Sequence, residues 1–449
     1  MKNSNKNISV IGLGYVGLTL AVVLAKHGFT VYGAETNPEI LKTLAAGRAH
    51  FFEAGLDDLI TTYLNRSFFV SASLPTNVDY YAHIVSVGTP LMKGTTTTNL
   101  GHLTQALTSL RNVYKGNELV VLRSTVSVGT TRETVCQILQ DFAGTDLYQL
   151  RVAFCPERTI EGKALEELES LPQIIGGLND TSIEMAETIF RELTPTIIRV
   201  SSLEAAELVK LFNNTYRDIL FSVGNCFNSI AQSFGVDGTE IIHAANTGYA
   251  RSNIPVPGFV GGPCLEKDPY ILINSYVQEN RHRREINYVL DARRYNEGLI
   301  ERVSQWLISN LTTGPVVVSG LAFKGRPANS DMRGSASIPI LQHLKAAGFE
   351  LRLHDYTVPE SEIATLDCGA PFKNLKAACQ GASGLVILNN HALYKAERYS
   401  DLIETLTRPS VFFDAWGASG YRPLQIEDTI KYANLGNFQI ESSQKKASS

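Results

Sequence analysis

Cysteine is scarce in this sequence and never clustered: Cys136, Cys155, Cys226, Cys264, Cys368 and Cys379 are spread over 449 residues without a CxxC pair. That spacing excludes a disulfide framework and a cysteine-rich zinc site; it fits reduced thiols of a cytosolic protein, and no metal is expected. An excess of charge of one sign is lacking too. A formal net charge of -4 creates no field that would draw a polyanion, so no nucleic-acid partner is expected. Long apolar runs are missing as well. The run LTLAVVLA falls far short of the roughly 20 residues that span a bilayer, which predicts no membrane association. The opening MKNSNKNISVIGLGYVGLTLAVVLAKHG has the basic start and apolar middle of a secretion signal. Three glycines interrupt it, however, and no small-residue cleavage site follows, so the expectation is a cytoplasmic chain.

The chain is longer than one hydrophobic core usually serves, which predicts two or three domains. From residue 8 to about 200, short β-branched runs alternate with helical patterns, as the βα units of a parallel sheet do. The strands are ISVIG, TVYGAE, HIVSVG, LVVLRS and RVAFCPE, and ligands of open α/β sheets bind beyond such carboxyl ends. A long helix is predicted from Ser201, opened by a Ser201/Glu204 capping box. Polar helical sequence follows from about Asp268 to Leu311, and a second α/β pattern begins at PVVVSGLAFKG. The expected fold is therefore α/β: two Rossmann-like, doubly wound parallel-sheet domains joined by a long central helix. The boundaries read from sequence are 1–200 for a dinucleotide domain, 201–311 for a central helical and dimerisation domain, 312–436 for a substrate domain and 437–449 for a flexible tail.

Gly12, Gly14 and Gly17 form GxGxxG between a strand and an amphipathic helix. There, the first glycine makes the turn, the second admits a pyrophosphate and the third lets helix and strand pack. Glu35 ends the next strand about 20 residues on, where an acid accepts a ribose hydroxyl. Its charge opposes a 2′-phosphate, and TNPE offers no arginine to bind one, so NAD is expected rather than NADP.

The stretch FVGGPCLEKDPY sets Cys264 after Gly261 and Gly262. A cysteine in a glycine turn is by itself more often a small buried filler. Here the glycines permit close approach of a ligand, and Lys267 with a helix start near Asp268 would favour a thiolate, while Asp268 opposes it. Lys210 and Asn214 share a helix face with Glu207 nearby, either as a solvated stripe or as donors to a developing oxyanion. Glu157 and Glu161 follow a proline at a strand end, as surface acids or as activators of water. Thr125 ends another strand, where it holds a water or caps the next helix.

The ordered set GxGxxG with Glu35, SVGTP, RSTVSVGTT, PERTIEG, the Lys210/Asn214 helix, GGPCLEKD and GLAFKGRPANSDMRGSAS resembles the UDP-glucose/GDP-mannose dehydrogenase family over nearly the whole chain. The resemblance implies an NAD-dependent, four-electron oxidation of the C6 hydroxyl of a UDP-sugar to a carboxylate, serving polysaccharide synthesis in the cytoplasm. Carried over by position, Cys264 is the nucleophile that captures the aldehyde and then forms a thioester. Lys210 and Asn214 stabilise the oxyanion, Asp268 assists through a water, Glu161 serves thioester hydrolysis, and Thr125 positions water near the nicotinamide. Pro90, Lys267 and Arg333 fall at cofactor positions. Glu157, Glu161, Lys210, Asn214, Gly261, Lys324 and Arg251 fall at substrate positions, Arg251 reaching over from a neighbouring subunit of a homodimer. Arg158, Thr159, Ile160 and LPQIIGG resemble the UDP-N-acetylhexosamine branch, whereas Pro263 and Lys267 do not. The sugar stays open between UDP-N-acetylmannosamine, UDP-N-acetylglucosamine and UDP-glucose, with GDP-mannose behind. Two other functions share parts of the pattern: a two-electron hydroxyacid dehydrogenase, which has no need of Cys264, and a non-catalytic nucleotide-sugar binder.

Overall fold

Strands of this protein are largely apolar and buried because both faces of a parallel sheet are covered. AHIV and LVVL, for example, are buried at every position. A computed structural model of the chain describes residues 6–279, 283–420 and 429–440. The chain divides into two compact units, Met1–Asn213 with Tyr270–Arg281, and Asn214–Pro269 with His282–Ser449.

In the first unit the strands are β1 (Asn7–Ile11), β2 (Thr30–Ala34), β3 (Phe68–Ser71), β4 (Ala82–Val85), β5 (Leu119–Leu122), β6 (Val152–Phe154), β7 (Gln173–Gly177) and β8 (Ile197–Arg199). Their order is β3-β2-β1-β4-β5-β6-β7-β8, parallel except where β7 runs against β6. The five strands read from sequence are β1, β2, β4, β5 and β6, which include both neighbours of the switch point between β1 and β4. Inside the sheet His83 Nδ1 lies 2.7 Å from Ser9 Oγ while its Nε2 is buried without a hydrogen-bond partner, and burial pushes the imidazole down to about 3, so it stays neutral.

The second unit repeats the plan with β9 (Val316–Ser319), β10 (Leu351–His354), β11 (Ala370–Pro371), β12 (Gly384–Ile387), β13 (Ser410–Asp414) and β14 (Ile430–Ala433), ordered β11-β10-β9-β12-β13-β14 with all pairs parallel. Both sheets therefore reverse strand order at the first strand of the unit, and crevices at such switch points hold ligands. The likeness extends to the acids after the second strands. Glu35 accepts the Leu13 N–H at 3.0 Å, and Asp355 accepts those of Leu321 and Ala322 at 2.7 and 3.1 Å.

The long helix spans Leu203–Ser233. Its start differs by one residue from the sequence expectation: the Ser202 hydroxyl accepts the Ala205 N–H at 3.1 Å, and Glu204 instead pairs with Arg132 at 2.6 Å. Within the expected tail, residues 437–440 are described, and Phe438 is anchored rather than free. Phe438 is buried in the second core, edge-on to Phe413 and Trp306, because one aromatic ring suffices to anchor a segment with no pattern of its own. Residues 441–449 of the expected tail lie outside the described residues.

Candidate active site

At the end of β1 the backbone turns through Gly12 at φ +88°, into the helix Tyr15–Lys26. A Cβ on Gly17 would sit 1.9 Å from the Gly12 carbonyl oxygen, whereas one on Gly14 would meet nothing within 4 Å. Packing thus dictates the third glycine, while the second faces open space. That space belongs to a cavity of about 480 Å³ lined by Gly12, Gly14, Glu35, Ser86, Val87 and Gly88, among others. No side chain caps the helix and its first turn has no acid, so its positive end is left for an anion. Glu35 is oriented at the rim by the N–H groups of Leu13 (3.0 Å) and Asn37 (2.9 Å). A glycine bed, a bare helix start and an oriented carboxylate fit the pyrophosphate and ribose of NAD.

The ends of β4 and β5 are laced together. Val87 N–H donates to Ser124 Oγ at 2.9 Å, and the Thr89 hydroxyl donates to the Thr125 carbonyl at 2.5 Å. Thr125 and Pro90, called from separate motifs, are therefore brought to one end of the sheet. The loop beyond Thr125 is held from the long helix by Glu207, which is 1% exposed. Its carboxylate accepts the N–H groups of Gly129 (2.7 Å) and Thr131 (2.9 Å) and the Thr131 hydroxyl (2.5 Å). Desolvation outweighs these bonds and pushes it up to about 7.

The solvated-stripe reading of the long helix fails on burial: Lys210 and Asn214 are each 7% exposed. Lys210 Nζ donates to the Glu157 carbonyl at 2.6 Å and lies 3.6 Å from its carboxylate, at the end of β6. The Glu157 carboxylate also takes the Thr159 N–H. Glu161 is half-buried in the next turn, whose backbone is fixed by an acid that the sequence reading missed. Glu53 accepts the N–H groups of Gly162 (2.7 Å) and Ala164 (2.8 Å), and the Tyr15 hydroxyl donates to it. Burial and this neighbour raise the Tyr15 phenol far above its ordinary range, so it remains a donor. Nothing local in FFEAG marks Glu53; only the fold brings it to Gly162.

In the second unit, the thiol of Cys264 is exposed, so the buried-filler reading fails. Its turn is set by close packing. Gly262 stands at φ +89°, and a Cβ there would strike the Phe323 ring at 2.6 Å. The Gly262 N–H donates to the Gly334 carbonyl at 2.8 Å. Phe-Lys-Gly and Asp-x-Arg-x-Ser, both distant in sequence from Cys264, thus meet the cysteine turn. Asp268 is fully buried, accepting the Asn214 side-chain amide at 2.6 Å and lying 2.9 Å from Lys267 Nζ. Lys324 Nζ lies 5.2 Å from the Phe323 ring centre. Two expected residues make other side-chain contacts. Arg333 forks onto Asp331, and exposed Arg251 stacks on Tyr249 and donates to its hydroxyl at 3.0 Å.

The chain is similar to known proteins along most of its length. The UDP-glucose/GDP-mannose dehydrogenase family matches in three segments: its NAD binding domain at residues 6–194, central domain at 204–298 and UDP binding domain at 317–420. UDP-N-acetyl-D-mannosamine dehydrogenase of Methanocaldococcus jannaschii is 30% identical over 397 residues, covering 87% of each chain. This chain belongs to the UDP-glucose/GDP-mannose dehydrogenase family. It is an NAD-dependent nucleotide-sugar dehydrogenase. Among solved structures, UDP-N-acetyl-D-mannosamine dehydrogenase from Pyrococcus horikoshii superposes with a TM-score of 0.83 at 26% identity, covering 97% of this chain and all of that one. A UDP-glucose dehydrogenase from Pyrobaculum islandicum gives 0.82 at 26% identity, covering 97% and 99%.

For a nucleotide-sugar dehydrogenase the geometry has a clear division of labour. Elements of the first unit hold the dinucleotide cavity and the acids after β6, while the second unit holds Cys264 and the buried Asp268. The long helix supplies residues to both, with Lys210 and Asn214 one turn apart. No helix among the described residues is long and apolar enough to cross a membrane.

Proposed function

We propose that the chain converts the C6 hydroxyl of a UDP-linked sugar into a carboxylate through two successive oxidations, with Cys264 retaining the intermediate. The observation that carries this is the exposed Cys264 thiol in a turn whose neighbouring acid, Asp268, is buried and bonded to Asn214. A two-electron oxidation has no use for such a nucleophile. NAD, when bound, supplies the hydride acceptor for both oxidations.

The hydroxyl first loses a proton and a hydride, and Asp268 takes the proton through a water. The Cys264 S–H then adds across the aldehyde C=O, giving a thiohemiacetal; Lys210 and Asn214 donate to the oxygen as it becomes negative. Loss of a second hydride and proton leaves a thioester. Water cleaves its C–S bond, returning the thiol and releasing the carboxylate. Glu161 draws a proton from that water, and Thr125 holds it in place. Glu157 keeps Lys210 in position. Lys324 grips the diphosphate, the Gly261 backbone borders the sugar while a Cβ there would meet the Gly334 carbonyl oxygen at 2.1 Å, and Lys267 and Arg333 serve the cofactor side with Pro90.

The sugar we propose is UDP-N-acetyl-D-mannosamine, supported by the names of the relatives and by LPQIIGG; UDP-glucose is the second reading, supported by the Pyrobaculum structure. The product feeds polysaccharide assembly in the cytoplasm. The working form is a homodimer through the long helix, on which Tyr216, Phe227 and Ile230 are exposed at spacings that keep them near one face, with exposed Phe234 just past its end and Arg251 crossing to the partner.

A panel of UDP- and GDP-sugars, scored for NADH released per sugar consumed, tests the reading. Two per UDP-N-acetylmannosamine are expected. One per sugar would support a two-electron enzyme, and full activity of Cys264→Ser would remove the thiol from the mechanism.

A further inference from the structure

A buried arginine that no part of the mechanism uses grips the cysteine turn at both ends. Arg293, on the helix Arg283–Asn310, is 2% exposed. Its Nη2 donates to the Val260 carbonyl at 3.1 Å, and its Nη1 to the Leu265 carbonyl at 3.2 Å, four residues before Cys264 and one after it. Nη1 also lies 2.5 Å from Oδ1 of Asp218, which is fully buried on the long helix. Asn296 adds a second donor to the same oxygen at 3.0 Å, and Glu297 stands 3.2 Å from Nε.

We propose that Arg293, oriented by Asp218, is a positioning residue that fixes Cys264 for attack on the aldehyde. The segment between the two gripped carbonyls contains Gly261 and Gly262, the residues with most conformational freedom to lose. Charged donors hold carbonyls more firmly than neutral ones, and a planar fork serves two at once. A lysine ammonium offers no such fork. Asp218 compensates the guanidinium charge, so what reaches the thiol is geometry rather than field. The inference rests on the reading of Cys264 as nucleophile.

The test is Arg293→Lys in the full-length enzyme, beside Arg294→Lys, an exposed neighbour on the same helix, as control. Three quantities are read: NADH per sugar, aldehyde trapped by hydroxylamine, and the rate of Cys264 alkylation by iodoacetamide, followed by peptide mass spectrometry. Arg293→Lys is expected to leak at least a tenth of turnovers as trapped aldehyde, to lower NADH per sugar below two, and to shift alkylation at least threefold; the control is expected to match wild type. Should Arg293→Lys fail to fold, the charge-neutral pair Asp218→Asn with Arg293→Met takes the same measurements. A folded variant with all three within twofold of wild type overturns the proposal. If wild type itself yields one NADH per sugar, the mechanism falls, and the alkylation rate still decides whether Arg293 sets the turn.

Discussion

Asn214, on the long helix, donates its side-chain amide to Asp268 at 2.6 Å, and Asp268 is the first residue of the helix that follows the cysteine turn. Both side chains are buried, so the carboxylate is oriented before any substrate arrives. Asp268→Asn keeps the shape and removes the proposed base. Steady-state NADH production should fall by about 100-fold or more in kcat, with KM changed only a few-fold, in keeping with the usual worth of a positioned proton acceptor. Retention of more than a tenth of wild-type kcat would assign Asp268 a structural role alone.

Glu35 makes a separate prediction for the cofactor. Its carboxylate is held at the rim of the dinucleotide cavity by two backbone N–H groups. Glu35→Gln loses the charge-assisted bond to the ribose, worth about 1.5–3 kcal/mol. The KM for NAD should rise by roughly 10- to 100-fold, since 1.4 kcal/mol is a factor of ten. An unchanged KM would place the ribose elsewhere.

Glu207 predicts a pH dependence of stability. Its folded-state value, about 7, lies above the ordinary 4.5, so the folded protein holds a proton that the unfolded chain has already lost between those values. Its contribution is fully present below about pH 4.5, declines as pH rises, and is gone above about 7. The size is on the order of 3 kcal/mol, at 1.36 kcal/mol per unit. Glu204, Arg132 and Cys136 interact with it electrostatically, with Glu204 pushing the value upward. Urea unfolding at pH 5 and pH 8 should show a smaller difference in Glu207→Gln than in wild type. Equal differences in the two proteins would mean that this carboxylate is not the source.

Gly262→Ala should damage the cysteine turn directly. The new methyl would meet the Phe323 ring at 2.6 Å from a backbone at φ +89°. Strain of about 1 kcal/mol for the left-handed conformation adds to about 1–3 kcal/mol for overpacking. Thermal unfolding should report the loss, and Cys264 alkylation should change with it. A variant as stable as wild type would show that Phe323 can move aside.

Much of the first half-site was legible because its signals are local. Strand, turn, helix and acid succeed one another within Ile8–Glu35, and each rests on backbone geometry that glycine spacing alone dictates. The cysteine turn was legible as a motif, though whether its thiol was buried was not. The same limit applied to Lys210 and Asn214: a polar face on a helix is written identically whether it meets water or a strand end. Glu53 and Arg293 gave no signal at all, because the carbonyls and N–H groups they hold, such as those of Gly162, Val260 and Leu265, lie 109 and 28–33 residues away and are backbone groups, which carry no sequence identity.

The sequence by itself determined the two α/β patterns, the dinucleotide turn and which residues could carry chemistry, since these depend on periodicity and on glycines that tolerate no substitute. Tertiary structure alone decided which polar groups are dry, which carbonyls receive a buried charge, and that Phe-Lys-Gly and Asp-x-Arg-x-Ser close against the thiol-bearing turn. Those outcomes follow from desolvation and close packing between segments distant along the chain, and neither acts until the backbone has brought them together.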